Sequence, residues 1–241
     1  MTKENYIVNV AFDQDDWKEI YRYFKGYASV DINDIPPKYQ DYIIPTRDIM
    51  MEQAKVVMKY NCVDIQEIKD EGIVLENGKI FTGEIIKKAY KDAKQLVLFV
   101  ITVANIEEIL KQHPDMMDTF FLEFWAVSML AVARDQLNAQ LEKELENSGF
   151  QKTSVWSPGQ AKFELPNQKP LFETLQPEEI GVILDKHMRM LPVKSVSGTI
   201  GIVPDDKEID MISCDYCEHN ETCPGYVGTR LQNNGKVRRL S

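Results

Sequence analysis

Long uncharged apolar runs are missing from this chain, and so are basic stripes, internal repeats and low-complexity linkers. No window reaches the roughly 18 apolar residues that a membrane span needs; in the most apolar stretch, Glu123 and Arg134 bracket too short a run. The opening residues carry Lys3, Glu4 and Asp13–Asp16 charges rather than a signal core, so a cytoplasmic protein is expected. Acidic residues outnumber basic ones by 38 to 28, giving a formal charge of −10. The one basic cluster is the short Lys236-Val237-Arg238-Arg239 tail, which argues against nucleic acid as a partner. Histidine is scarce, at 3 residues. His113 precedes Pro114 and His187 falls in an expected helix, so both read as surface or packing residues. No Ser-His-Asp or paired-carboxylate arrangement is visible, and no catalytic residue is assigned. Cysteine is also sparse, at 4 residues, too few for a secreted disulfide framework.

What the chain does contain is enough apolar sequence, in 241 residues, to bury one substantial core. Residues 5–12 alternate weakly and read as an opening strand. Asp13 onward caps a helix carrying Trp17, Ile20, Tyr21 and Phe24, with Gly26 expected at its end. A second helix is expected from Lys38, interrupted at Pro45 and running to about Tyr60. Strands follow at 63–68 and 72–81, the latter folding at Glu76-Asn77-Gly78-Lys79, since Asn-Gly between apolar alternations is a strong hairpin signal. Residues 95–103 are a β-branched run fit for a strand buried on both faces, the expected centre of the sheet. The longest helix is expected over 117–147, with Glu123 read as a rim carboxylate, a further helix over 178–188, and strand-like sequence over 196–203. Helices and strands alternate without a βαβ rhythm, which predicts an α+β domain with a largely antiparallel sheet. That domain is assigned to residues 1–210, and residues 211–241 to a cysteine segment with a basic tail.

Two stretches carry chemistry. In the first, Trp156-Ser157-Pro158-Gly159-Gln160 and Ser195-Val196-Ser197-Gly198 are backbone-rich loops with hydroxyls and glycines. Their amides and side chains could face a polar small molecule, while the plain reading is two ordinary turns. In the second, Cys214, Cys217 and Cys223 stand at C-x2-C-x5-C with Pro224 after the last. This spacing suits an iron-sulfur cluster completed by Cys62, by solvent or by a partner, and equally a structural zinc with His219 as a nitrogen ligand. Plain reduced thiols are the third reading.

The order Ser157-Pro158-Gly159, Gln168, Leu171-Phe172-Glu173-Thr174-Leu175, Glu179-Ile180-Gly181-Val182, Met190-Leu191-Pro192 and Ser195-Val196-Ser197-Gly198 resembles the activation domain of cobalamin-dependent methionine synthase. More closely, it is similar to free-standing versions of that domain. Upstream, Tyr21-Arg22-Tyr23-Phe24-Lys25-Gly26-Tyr27 and Leu98-Phe99-Val100-Ile101-Thr102 extend the likeness over nearly the whole chain. The resemblance implies a C-shaped domain whose twisted antiparallel sheet is flanked by helices. It implies an S-adenosylmethionine site and a role in methylating and reductively reactivating cobalamin held by another protein, a corrinoid protein or methyltransferase. An electron would come from flavodoxin or ferredoxin, or through an iron-sulfur relay, the use that favours a cluster over zinc here. This chain has no Asp-x-His-x-x-Gly segment, so the cobalt must arrive on a partner. The family places an Arg four residues before the glycine and a Tyr just after it; here stand Val155 and Gln160. Losing a bidentate carboxylate contact costs on the order of a few kcal/mol, so a retained cleft with weakened or absent donor binding is expected. An iron-sulfur adaptor that lost the donor, and a zinc-stabilised binding module, are the alternatives.

Overall fold

A computed structural model describes residues 4–217. Its frame is one antiparallel sheet. β2 (Val56–Ile68) and β5 (Gln95–Val103) pair along nine residues, from Val56 opposite Val103 to Asp64 opposite Gln95. On the far side of β2, β1 (Tyr6–Asn9) covers its first half, and the hairpin of β3 (Gly72–Leu75) and β4 (Ile80–Thr82) takes up its second half. β9 (Ser195–Pro204) lies against β5, and β6 (Phe150–Lys152) forms the outer strand beyond it.

Period-two alternation divides the sheet between two cores. On β5, Val97, Phe99, Ile101 and Val103 join the first core, and Leu96, Leu98 and Val100 the second. Over the first face pack α1 (Gln14–Ala28), α2 (Gln40–Gln53) and α5 (Met116–Leu145), with Phe24 stacked on Trp125 at 3.6 Å. α5 is long and apolar enough by composition to cross a membrane, yet it buries Phe121, Leu122, Trp125, Leu137 and Leu141 in this core. Asp115 caps it, accepting from the amides of Met117 and Asp118. Its Glu123 sits at the rim, paired with Lys194 at 3.4 Å. The second face is covered by α3 (Glu84–Ala89), α6 (Gln168–Leu175) and the chain around Trp156 and Phe163. α4 (Ile106–Gln112) joins β5 to α5.

Several expectations are corrected. The second helix runs through Pro45 and stops at Gln53, because Val56 and Val57 begin a strand that β5 pairs along its length. The helix expected over 178–188 is a single 3-10 turn, Pro177–Ile180, followed by a small hairpin of β7 (Ile183–Leu184) and β8 (Met190–Leu191). Asp185 organises that hairpin by accepting from the amides of His187 and Arg189 and from the Arg189 guanidinium.

Candidate functional site

The two segments of the first stretch, Trp156–Gln160 and the run from Ser195, meet. Trp156 pairs with Thr199 through both backbone bonds, Trp156 N–H to Thr199 O at 3.0 Å and Thr199 N–H to Trp156 O at 2.8 Å. The second segment, however, is the start of β9 and not a loop. Its valine, threonine and isoleucines suit a strand, which pairs with β5 on one side while Thr199 and Gly201 turn their backbone groups to Trp156 and Thr153 on the other.

Burial then reassigns most of the proposed ligand contacts. Trp156, Pro158, Ser197 and Gly198 are buried, Ser157 and Ser195 half-buried, and Gly159 and Gln160 exposed. Ser197 Oγ donates to Gln168 Oε1 at 3.0 Å, and Thr199 Oγ1 to the Trp156 carbonyl at 3.2 Å. Tyr90 Oη lies 2.7 Å from Thr199 Oγ1, and burial pushes that phenol well above its usual range. Ser195 Oγ lies 2.7 Å from the Pro192 carbonyl and 2.8 Å from Thr102 Oγ1. These hydroxyls satisfy one another inside the domain, as buried polar groups must. Gly198 is explained by packing too: a Cβ there would lie 2.7 Å from the Phe99 ring. Trp156, Ser197 and Gly198 are therefore buried within the domain, where Ser197 serves Gln168 and Gly198 makes room for Phe99.

The exposed part is a tight hairpin. Gly159 N–H donates to Phe163 O at 2.6 Å and Phe163 N–H to Gln160 O at 2.8 Å. Gly159 has φ +89°, and Ala161 and Lys162 at its tip have φ +48° and +63°. Two successive left-handed residues define a type I′ turn, normally the place of Asn-Gly, and here each carries a side chain at some cost. The Gly159 and Gln160 backbone amides are consumed by the hairpin, so the edge offers a ligand the Ser157 hydroxyl and the Gln160 side-chain amide. Val155 packs against the first core and Trp156 belongs to the second, so Val155 lies on the opposite face from Trp156. Beside Ser154 opens a groove of ≈ 780 Å³, edged by Glu142, Glu146, Lys152, Lys207, Glu208 and Ile212.

The cysteine segment returns to this edge. Ser213 N–H donates to Ser154 Oγ at 3.2 Å, and the Tyr216 ring lies 5.9 Å from that of Trp156. Cys217 packs against the second core. Cys62 belongs to the first core, on the opposite face of the sheet, and the strand between them removes it as a fourth ligand. Cys223 and His219 lie outside the described residues. Among the described residues no group of three or more His, Cys, Asp or Glu is arranged to hold a metal.

One buried charge escaped the sequence reading. Lys59, inside β2, is 0% exposed, and its Nζ reaches the Gln176 carbonyl at 2.9 Å and Glu179 Oε2 at 3.0 Å. The signal was a lone cation in an otherwise apolar run. Tyr90 was missed as well, since nothing local marks a tyrosine that serves a strand 109 residues away.

No protein-family model and no curated protein matches this sequence. Among solved structures, the fold is similar to that of the MetH reactivation domain bound to AdoHcy. The TM-score is 0.57 over 98% of this chain and 91% of that one, at 13% identity. The curled antiparallel sheet with flanking helices is thus a shared architecture, as the sequence resemblance implied.

Proposed function

We propose that this chain holds an S-adenosyl ligand along its Ser154–Gln160 edge and presents it to a corrinoid carried by a second polypeptide. The observation that carries the reading is the joining of the Ser-Pro-Gly turn to β9 through the Trp156–Thr199 pair, within a fold whose solved relative binds AdoHcy. A groove with the volume of a small-molecule site reaches this edge at Ser154, the one residue of Ser154–Gln160 that lines it. Its mixed charge suits a ligand with both a carboxylate and cationic centres: Lys152, which pairs with Glu142 at 3.1 Å, and Lys207 would face the one, Glu146 and Glu208 the others.

The chemistry asks little of the protein's acids and bases. An external one-electron donor, of flavodoxin or ferredoxin class, reduces the partner's Co(II) to Co(I). Co(I) then attacks the sulfonium methyl, forming a cobalt–carbon bond and releasing S-adenosylhomocysteine. The chain contributes orientation of donor toward acceptor, a role that asks for no Ser-His-Asp or paired-carboxylate arrangement. Val155 and Gln160 favour a second reading, a binding or redox module that keeps the fold without the donor.

Titration calorimetry with S-adenosylmethionine and S-adenosylhomocysteine separates the two. Weak, saturable binding that is lost in Gly159→Ala and Lys152→Ala supports the proposal; no heat at millimolar ligand removes it. The corrinoid half is read separately. Adding the chain, donor and reductant to a Co(II)-corrinoid methyltransferase should produce the methyl-Co(III) spectrum, and an unchanged spectrum would end that half.

A further inference from the structure

Lys59 stands in β2 opposite Val100 on one side and Ile7 on the other, and its side chain is fully covered. A well-packed apolar side chain of similar volume would serve stability there as well or better. Its polar partners lie on one short segment. The Gln176 carbonyl accepts from Lys59 Nζ at 2.9 Å, and Glu179 Oε2 lies 3.0 Å away. Gln176 ends α6 with φ 52° and ψ 59°, a left-handed cap that glycine usually takes, and in this conformation its carbonyl meets the ammonium.

The segment that covers Lys59 also faces a groove. Gln176 and Glu179 both line this groove of ≈ 730 Å³, which shares no residue with the one beside Ser154. Phe172, Ile183 and Leu184 give it an apolar lining, and Ile183 is exposed. Lys79 and Lys169 offset Glu173 and Glu178 there, with Glu173 paired to both lysines, so the surface charge favours neither sign. The remaining pair is unequal. Glu179 reaches the ammonium from a side chain that is 52% exposed, whereas Lys59 is 0% exposed in a paired strand. A half-exposed carboxylate returns to solvent at little cost, but an uncompensated buried ammonium is strongly destabilising. Only another anion can take the place that Glu179 leaves.

We infer that this groove binds a small carboxylate with a short apolar body, the carboxylate replacing that of Glu179 on Lys59 and the body lying against Phe172, Ile183 and Leu184. Glu179 is then a resident counter-ion that the ligand displaces, and Lys59 is the group that selects for an anion. Binding is non-covalent. The charge on Lys59 is matched throughout, since one carboxylate leaves as another arrives.

The test uses the full chain without S-adenosyl ligand, so its outcome is separate from that of the donor proposal. Hexanoate, 1-hexanol and hexylammonium are titrated into methyl-13C-labelled protein and read at the Ile183 methyl resonance, which Ile183→Val assigns. A saturable shift with millimolar hexanoate, and binding of the other two weaker by about 10-fold or more, supports the site. Lys59→Met should weaken hexanoate binding on the order of 10- to 100-fold, and Glu179→Ala should tighten it by a similar factor, because no resident carboxylate then competes. Thermal unfolding gives a second reading: hexanoate should restore part of the Tm lost in Glu179→Ala and leave that of Lys59→Met unmoved. No shift in the wild type, equal binding of hexanoate and 1-hexanol, or a preference for hexylammonium overturns the proposal. So does hexanoate bound equally by wild type and Lys59→Met. Binding confined to Glu179→Ala overturns it too, since Glu179 would then be a fixed part of the fold. Should either variant fail to fold, the three ligands compared on the wild type decide.

Discussion

Replacing Gly198 by alanine separates two accounts of the Ser195–Gly198 run. If the glycine lets a ligand approach, alanine weakens binding and leaves the fold alone; if it makes room for Phe99, alanine weakens the fold. An added Cβ would lie 2.7 Å from Phe99 Cζ, 2.8 Å from Cε1 and 3.1 Å from the Trp156 carbonyl. Phe99 is directly opposite on β5 and fully buried, so its ring must move within a close-packed core. Overpacking of this kind costs about 1–3 kcal/mol. Gly198 does not have the left-handed φ that strains alanine, so restricting the unfolded chain returns about 0.4–1 kcal/mol. The net loss is about 1–2 kcal/mol, which for a domain of this size lowers Tm by about 2–8 °C. Phe99→Leu in the same chain should relieve the clash, leaving the double variant more stable than the sum of the single changes by about 1 kcal/mol. Thermal unfolding of the four proteins, with S-adenosylmethionine calorimetry below Tm, reads both accounts. Unchanged Tm with lost ligand heat would refute the packing argument.

Asp185, held by two backbone amides and the Arg189 guanidinium, has its carboxyl depressed to about 2 from an ordinary 3.8. A depressed acid stabilises the folded state fully above its unfolded value, and that contribution fades as pH falls from about 4 toward 2. A carboxyl-carbon NMR titration should place the Asp185 midpoint near 2, and Asp185→Asn should lose this share of the acid response. For Lys59, methionine should change Tm little, since it keeps the volume while removing a buried charge; alanine, leaving a void in a central strand, should cost about 2–4 kcal/mol. A methionine variant less stable than the alanine one would show that the ion pair to Glu179 outweighs packing. At the type I′ tip, Ala161→Asn with Lys162→Gly should raise stability by about 1–2 kcal/mol, measured as an increase in Tm.

The parts of this fold that could be read from sequence are those whose cause is local. Residues 95–103 form the expected buried strand, the Asn77-Gly78 hairpin forms where its dipeptide demands, and α5 begins at its Asp115 cap. Where reading failed, a partner distant in sequence decided. Val56–Tyr60 carry no local mark separating strand from helix end, and their state follows from pairing with β5. Residues 196–203 form the expected strand, whereas the loop read from serine and glycine in 195–198 does not form, because Phe99 and Tyr90 fill the spaces that Gly198 and Gly201 leave. The same substitution of partners explains the candidate site. A hydroxyl-rich strand can face a ligand or face its own domain, and composition is identical in both cases. Only the positions of Gln168, Tyr90 and Trp156 reveal that this one faces inward. Under the proposed function, recognition would be left to half-buried Ser157, exposed Gln160 and the charges around the groove, few enough groups that the ligand would be held weakly.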